Sequence, residues 1–144
     1  MATQVLNPSE APGELDLVRR FVNTLDIEDG TDDIATPGEA TAWLGKEGWP
    51  TRVGGQDLRE LVHVREAIRD LVSFRGTDAD LDAVAAVDAI ARRYPLVVRL
   101  SSTAVLSPTS KGGAGAFIER VLGLVAAAEI DGTWDRMKAC ANHG

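Results

Sequence analysis

The residue type best able to bind a metal or react as a nucleophile occurs once in this chain of 144 residues, as Cys140. A lone cysteine cannot close an intramolecular disulfide, and a structural zinc site needs four nitrogen or sulfur ligands. The surrounding residues, Lys-Ala-Cys-Ala-Asn-His-Gly over 138–144, are nevertheless similar to the first half of a Cys-x(2–4)-Cys zinc knuckle. Two interpretations stay open: Cys140 is a solitary thiol, or it opens a knuckle whose second cysteine is missing here.

A charged residue, Arg65, falls inside the apolar stripe of the helix that periodicity predicts over residues 56–74. A charge on an apolar face needs a partner or a route to solvent. Asp88 has a similar position among the apolar residues of the next predicted helix, so we favour an Arg65–Asp88 ion pair between packed helices. The alternative is that Arg65 points into a cavity and binds a carboxylate or phosphate through its planar fork of N–H groups.

Three other patterns are similar to known sites but fail at a required position. The acidic residues of segment 26–33 fit no register of a calcium-binding EF-hand, so we predict a solvated loop. Segment 110–115 is rich in glycine, but its lysine precedes the glycines; we predict a flexible connector there, with anion binding as the alternative. His63 and His143 are far apart in sequence, and no nucleophile motif accompanies them, so nothing indicates a catalytic pair.

Periodicity, capping residues and turn signals predict an α+β domain that is mostly helical, with four or five helices and a small antiparallel hairpin around residues 96–108. The predicted helices cover residues 14–25, 37 to about 45 or 48, 56–74, about 80–93 and 114–130. Thr36 is the predicted N-cap of the second helix, with proline at its first position and an acid in its first turn. The 114–130 helix is apolar almost all round, which is typical of a helix buried in a domain or at an interface.

Composition excludes several classes of protein. The net charge of −7 and a pI near 4.8 argue against nucleic-acid binding by this chain, because that binding depends on Lys and Arg neutralising phosphates. No apolar run reaches the roughly 20 residues of a membrane span, and the N-terminus lacks the features of a signal peptide. With a single cysteine, these features predict a cytoplasmic protein with no membrane partner. Residues 1–13 are predicted to be a disordered tail.

Four stretches match one known family in order along the chain: 17–26 (LVRRFVNTLD), 36–44 (TPGEATAWL), 58–69 (LRELVHVREAIR) and 134–142 (WDRMKACAN). They resemble the ABATE domain, which in its family precedes a CGNR zinc finger in proteins regarded as stress-induced bacterial transcription regulators. The resemblance implies a regulatory domain over residues 14–135 and the start of a truncated zinc-finger module over 136–144. Cys140 would be a zinc ligand only in a longer chain that carries the remaining ligands. We expect no cofactor within this chain and DNA contact only through the missing finger.

The resemblance also implies a function for the domain, namely sensing a small-molecule effector. The candidate ligand-binding residues are Asn23, Thr24, Arg65 and Asp88; the first two match the family motif but lie off the apolar stripe of their helix. A ligand would alter the packing of the 56–74 and 114–130 helices, and the change would reach DNA through a hinge at 134–140. Two alternatives stay open. The domain could be a homodimerisation module that pairs through the 114–130 helix, or an enzyme with Arg65, Asp88 and Asn23 in its active site.

Overall fold

The computed structural model describes residues 14–100, 104–109, 112–135 and 137. Within these ranges it has five α-helices and two antiparallel strand pairs, which confirms the predicted α+β, mostly helical fold. In chain order the elements are α1 (Leu15–Val22), β1 (Leu25–Asp26), β2 (Thr31–Asp32), α2 (Pro37–Lys46), α3 (Gly55–Ser73), α4 (Asp80–Ala91), β3 (Leu96–Leu100), β4 (Ala104–Pro108) and α5 (Gly113–Asp131). None of the helices in the described ranges is both long and apolar enough to cross a membrane. The predicted disordered tail, 1–13, lies outside these ranges.

Helix α2 begins as its sequence predicts. The Thr36 Oγ1 accepts a hydrogen bond of 3.1 Å from the Glu39 N–H, and Pro37 occupies the first helical position. The N-cap therefore satisfies one of the N–H groups that the first turn leaves without a helical partner. Helix α5 ends at Asp131, and the φ of +85° at the next residue, Gly132, is the left-handed conformation that glycine adopts without a steric penalty.

Helix α5 is the centre of the core. Eleven of its residues are buried, and it packs against α1, α3 and strand β4. Phe117 lies at the middle of an aromatic cluster, with ring centroids 5.2 Å from Phe21, 5.7 Å from Trp43 and 5.9 Å from Trp49. The three rings meet Phe117 edge to face, the arrangement that the ring quadrupoles favour. The prediction that this apolar helix is buried within the domain is confirmed.

The β3–β4 hairpin lies across α5 at a glycine. Its register pairs Val98 with Leu106, and a Cβ placed on Gly123 would lie 3.5 Å from the Leu106 carbonyl oxygen and 3.5 Å from Leu96 Cδ1. The absence of a side chain at Gly123 thus allows the strand backbone to approach the helix closely. Because β3 alternates its side chains between two faces, Leu96, Val98 and Leu100 share one face of the hairpin.

Three features of the fold differ from the sequence-based predictions. The first helix, predicted over residues 14–25, ends at Val22, and Leu25 belongs to β1. Segment 26–33 contributes to a short strand pair, in which Leu25 pairs with Asp32 and Asp26 with Thr31, rather than forming a loop only. The buried residues of α4 are Ala83 and Ile90, whereas the apolar residue Leu81 of the same helix is exposed. Helix α4 is rich in small apolar residues on all sides, so its hydrophobic periodicity does not define which face packs.

Candidate functional site

Arg65 lies on the inward face of α3, and only 2% of its surface is exposed. Its Nη1 and Nη2 groups donate to the two carboxylate oxygens of Asp32 at 2.8 and 3.2 Å. Nη1 also donates to Thr24 Oγ1 at 3.2 Å, and Nε donates to Glu66 Oε2 at 2.7 Å. The guanidinium therefore ties the β1–β2 hairpin to α3 through a bidentate contact, which is the strongest geometry for an arginine–carboxylate pair.

The predicted Arg65–Asp88 ion pair is wrong. Asp88 lies on an exposed part of α4 and pairs with Arg92 at 3.0 Å, one helical turn away. The partner of Arg65 is Asp32, which belongs to the acidic segment that the sequence suggested would be only solvated. The two elements that supply Arg65 and Asp32 are distant in sequence, so periodicity along α3 and α4 alone could not identify this pairing.

The Arg65 network sets the ionisation of Asp32. Burial by itself would raise the pKa of this carboxyl group, since it disfavours the charged form. The hydrogen bonds from Arg65 and from the Ile34 N–H, together with the positive charges of Arg65 and Arg69, outweigh burial and hold the pKa of Asp32 below its ordinary value. Asp32 is therefore a carboxylate at neutral pH, as an acceptor of two guanidinium hydrogen bonds must be.

The two candidate residues that follow α1 have different environments. Thr24 is buried; its hydroxyl donates to the Phe21 carbonyl at 2.7 Å and accepts from Arg65. Asn23 is exposed and lines a cleft of about 260 Å³ beside Asp26 and Arg69. Of the four predicted ligand-binding residues, the structure brings only Thr24 and Arg65 into contact.

Asp88 lines a different and more apolar space, which we call the α3–α4–α5 groove. It has a volume of about 300 Å³ and lies between α4 and α5, with α3 beneath. Its apolar lining includes Leu71 of α3, Val87 and Ala91 of α4, and Leu122, Val125 and Ala126 of α5. Three polar residues complete the lining: Asp88, Tyr94 and Glu129. A concave apolar surface with a few polar groups is the usual form of a small-molecule site.

Tyr94 closes the end of the groove near β3. Its hydroxyl donates to Glu60 Oε1 at 2.9 Å. Burial of the phenol, and then its hydrogen bond to Glu60 and the negative charge of that carboxylate, raise the pKa of Tyr94 to about 12. The phenol therefore stays protonated at neutral pH, with its proton already directed to Glu60 rather than into the groove.

The turn that follows α5 is anchored in the core. Trp134 and Met137 are each about 1% exposed, although the sequence suggested only a terminal helical turn acting as a hinge. Within the described residues, the Trp134 Nε1–H has no hydrogen-bond partner. Arg75, which follows α3, pairs with Glu129 of α5 and with Asp135 of the turn, the latter at 3.4 Å. Cys140 and His143 lie outside the described residues.

Sequence reasoning missed several polar residues. Glu66 and Arg69 extend the Arg65 network: Arg69 donates to Glu66 at 3.3 Å and to the Val22 carbonyl at 2.5 Å. Glu119 is buried in α5, where its carboxylate accepts from the N–H of Thr109 at 2.6 Å and from its hydroxyl at 3.0 Å. The sequence signal for Glu119 is a charge within the apolar part of α5, between Ile118 and Val121. Among the described residues, no three His, Cys, Asp or Glu side chains are grouped so as to hold a metal ion; residues 110 and 111 of the glycine-rich segment are not described.

Comparison with known protein families gives a match over most of the chain. The sequence model of the ABATE family, described as "Putative stress-induced transcription regulator", matches residues 15–131, which is most of the chain and includes all five helices. Neither the curated proteins nor the solved structures gave a match.

Proposed function

We propose, because this chain belongs to the ABATE family, that it is the ligand-sensing regulatory domain of a transcription regulator and that a zinc finger beyond this chain contacts DNA. The net charge of −7 supports assigning DNA contact to the zinc finger and not to this chain, because contacts with phosphates would have to come from cations outside this chain. In such a longer protein Cys140 would be the first zinc ligand. A structural zinc ion is usually coordinated by four thiolate or imidazole groups, so the finger would supply the other ligands.

The observation that carries the sensing proposal is the α3–α4–α5 groove. It is apolar, about 300 Å³ in volume, and open between two helices that both pack on α3. A ligand bound there would contact Leu122, Val125 and Ala126, whose spacing of three and four residues puts them on one side of the central helix. A ligand shifts a conformational equilibrium only if it binds two conformations differently, and a groove between helices can differ in width between them.

The chain beyond the groove supplies the route to the next module. Gly132 follows the last residue of α5, and two residues later Trp134 packs into the core with Met137. A displacement of α5 would therefore move two buried side chains at the point where the chain leaves the domain. Packed side chains transmit displacements because protein interiors have few voids to absorb them.

The Arg65 network supports the fold rather than the ligand site in this proposal. Four of the five guanidinium N–H groups are directed at Asp32, Thr24 and Glu66. Arg65 lines neither the groove nor the cleft beside Asn23. Asp88 and Asn23 line two different spaces and Arg65 lines neither, which favours a regulatory domain over the enzyme interpretation.

Native mass spectrometry of the chain isolated gently from its source cells tests the proposal. Ala126→Phe would fill the groove from a half-buried position, and Ala127→Phe places the same side chain about 100° further round α5, at an exposed position that does not line this groove. We expect a stoichiometric small-molecule adduct on the wild type and on Ala127→Phe, and its loss from Ala126→Phe. A bare wild-type chain, or an adduct that survives Ala126→Phe, would contradict sensing through this groove.

A second candidate function is self-association, and a specific surface favours it. Val98 and Leu100 on one face of β3 are 63% and 79% exposed, and Ile130 of α5 is 82% exposed. Val98 and Ile130 line one apolar groove of about 400 Å³. Exposed apolar strands at a sheet edge are common sites of pairing with a second chain.

Sedimentation velocity separates this candidate from a monomeric sensor. Leu100→Lys would remove an apolar contact from the hairpin, and Ile27→Lys introduces the same charge at an exposed isoleucine of the β1–β2 connection. Self-association predicts a concentration-dependent dimer that Leu100→Lys abolishes and Ile27→Lys preserves. A wild-type monomer at all concentrations would exclude it.

A further inference from the structure

We infer that the α3–α4–α5 groove binds an amphipathic cation, a molecule with an apolar body and a positively charged nitrogen that faces Asp88 and Glu129. The inference rests on the proposed function, which makes the groove a ligand site, and adds the chemical class of the ligand. The apolar body is required because Leu71, Val87, Leu122 and Val125 offer it no hydrogen bonds.

The charge of the ligand follows from the polar residues of the groove. Asp88 and Glu129 are the two ionisable carboxyl groups in its lining, and no Lys, Arg or His lines it. The third polar residue, Tyr94, already donates its proton to Glu60. The lining therefore presents acceptors and negative charge, so a carboxylate or phosphate ligand would find no opposite charge in it, whereas a cation would find two carboxylates.

Two arginines hold these carboxylates from the rim. Arg92 pairs with Asp88 along α4, and Arg75 pairs with Glu129. Each pair has exposed members, and exposed ion pairs are weak, so a cation bound in the groove can compete with them for the carboxylates. Arg75 also contacts Asp135, at 3.4 Å, in the turn that carries Trp134. A cationic ligand that binds Glu129 would compete with the Arg75–Glu129 pair and favour the Arg75–Asp135 contact. Binding of the cation would thereby change the contacts at the C-terminal end of the domain.

Three probes of equal apolar body test the charge preference: 4-phenylbutylamine, 4-phenyl-1-butanol and 5-phenylpentanoate. Their dissociation constants are measured by following the backbone amides of the ¹⁵N-labelled chain at pH 7. We expect the amine to bind about tenfold more tightly than the pentanoate, with the alcohol between them. Equal affinities, or tighter binding of the pentanoate, would overturn the inference.

Variants assign the preference to the two carboxylates. Asp88→Asn combined with Glu129→Gln should weaken binding of the amine by about tenfold and change the affinity for the alcohol by less than about twofold. Arg75→Gln should strengthen binding of the amine by about threefold, because it removes the arginine that competes for Glu129. Arg52→Gln is the matched control, since it removes the same charge from an arginine that lines a different space, whereas Arg75 pairs with Glu129. Equal effects of Arg75→Gln and Arg52→Gln would overturn the competition for Glu129.

Probe binding and native mass spectrometry together distinguish failure of this inference from failure of the proposed function. A chain that prefers the amine but carries no ligand from its source cells would uphold the chemistry of the groove and contradict sensing. A neutral or anionic molecule retained in the groove would support sensing and overturn the cationic class. Ala126→Phe should abolish binding of all three probes, and unchanged binding would place the probes elsewhere and overturn the inference.

Discussion

Replacing Arg65 with methionine should destabilise the domain by about 3 kcal/mol. Removing one partner of a fully buried ion pair costs about 3–5 kcal/mol, because the remaining charge loses its compensation. Here Asp32 and Glu66 retain 25% and 39% of their side-chain exposure, so water can replace part of the lost contacts. The lower end of the range therefore applies. For a chain of this size, 3 kcal/mol corresponds to a fall in Tm of about 10 °C.

Urea denaturation followed by circular dichroism measures this change. Arg59→Met is the matched control, because Arg59 is an exposed arginine on the same helix and its replacement should change the free energy of unfolding by less than about 0.5 kcal/mol. Arg65→Lys keeps the charge but not the planar fork, so its stability should lie between the wild type and Arg65→Met. If Arg65→Met is as stable as Arg59→Met, the network does not support the fold, and the assignment of Arg65 to structure is refuted.

Three further predictions concern titration and capping. Because the folded-state pKa of Asp32 lies below 3.8, its stabilisation is present above that pH and is lost as the pH falls through the folded-state value. The difference in unfolding free energy between the wild type and Asp32→Asn should thus shrink between pH 5 and strongly acidic pH, and a constant difference would contradict the pairing. Tyr94 is the only tyrosine, so absorbance at 295 nm should report ionisation near pH 12 in the folded chain; a midpoint near 10 would contradict its burial against Glu60. Thr36→Ala should cost about 1 kcal/mol in thermal or urea unfolding through loss of the α2 cap, whereas no change would mean that the cap is dispensable.

Local signals in the sequence predicted the helices well. The Thr36-Pro37-Gly38-Glu39 sequence marks the start of α2, and the structure has the cap hydrogen bond in place. The predicted 56–74 and 114–130 helices agree to within one residue with α3 and α5. These elements depend on caps, breakers and periodicity, all of which lie within a few residues of one another along the chain.

The partners of the charged residues depended on contacts distant in sequence. Arg65 was correctly placed on the apolar face of α3, but its partner was not, because Asp32 lies on a two-residue strand too short to show a period of its own. Asp88 was assigned to a packed face because α4 is apolar on most sides. The same uncertainty about α4 prevented prediction of the groove, which is lined by residues of α3, α4 and α5.

The C-terminal turn shows the same limit. The sequence around Trp134 predicted a helical turn with cations, and its function was inferred from family resemblance. The spacing of Trp134 and Met137, three residues apart, was the available signal that both could face the core. Predicting that they are buried would have required knowing where α5 ends and which surface lies beside its end. That surface is set by the left-handed residue Gly132, which redirects the chain after the helix.

Coupling between the groove and the C-terminal turn is tested most directly by the indole N–H signal of Trp134 in a titration with 4-phenylbutylamine. The chain has three tryptophans, so a ¹⁵N spectrum contains three indole signals, and Trp134→Phe identifies the relevant one. We expect this signal to shift with groove occupancy in the wild type and in Ala127→Phe, and to stay fixed in Ala126→Phe. A stationary Trp134 signal in a wild-type chain whose groove amides report saturation would contradict coupling between the groove and the C-terminal end of the domain.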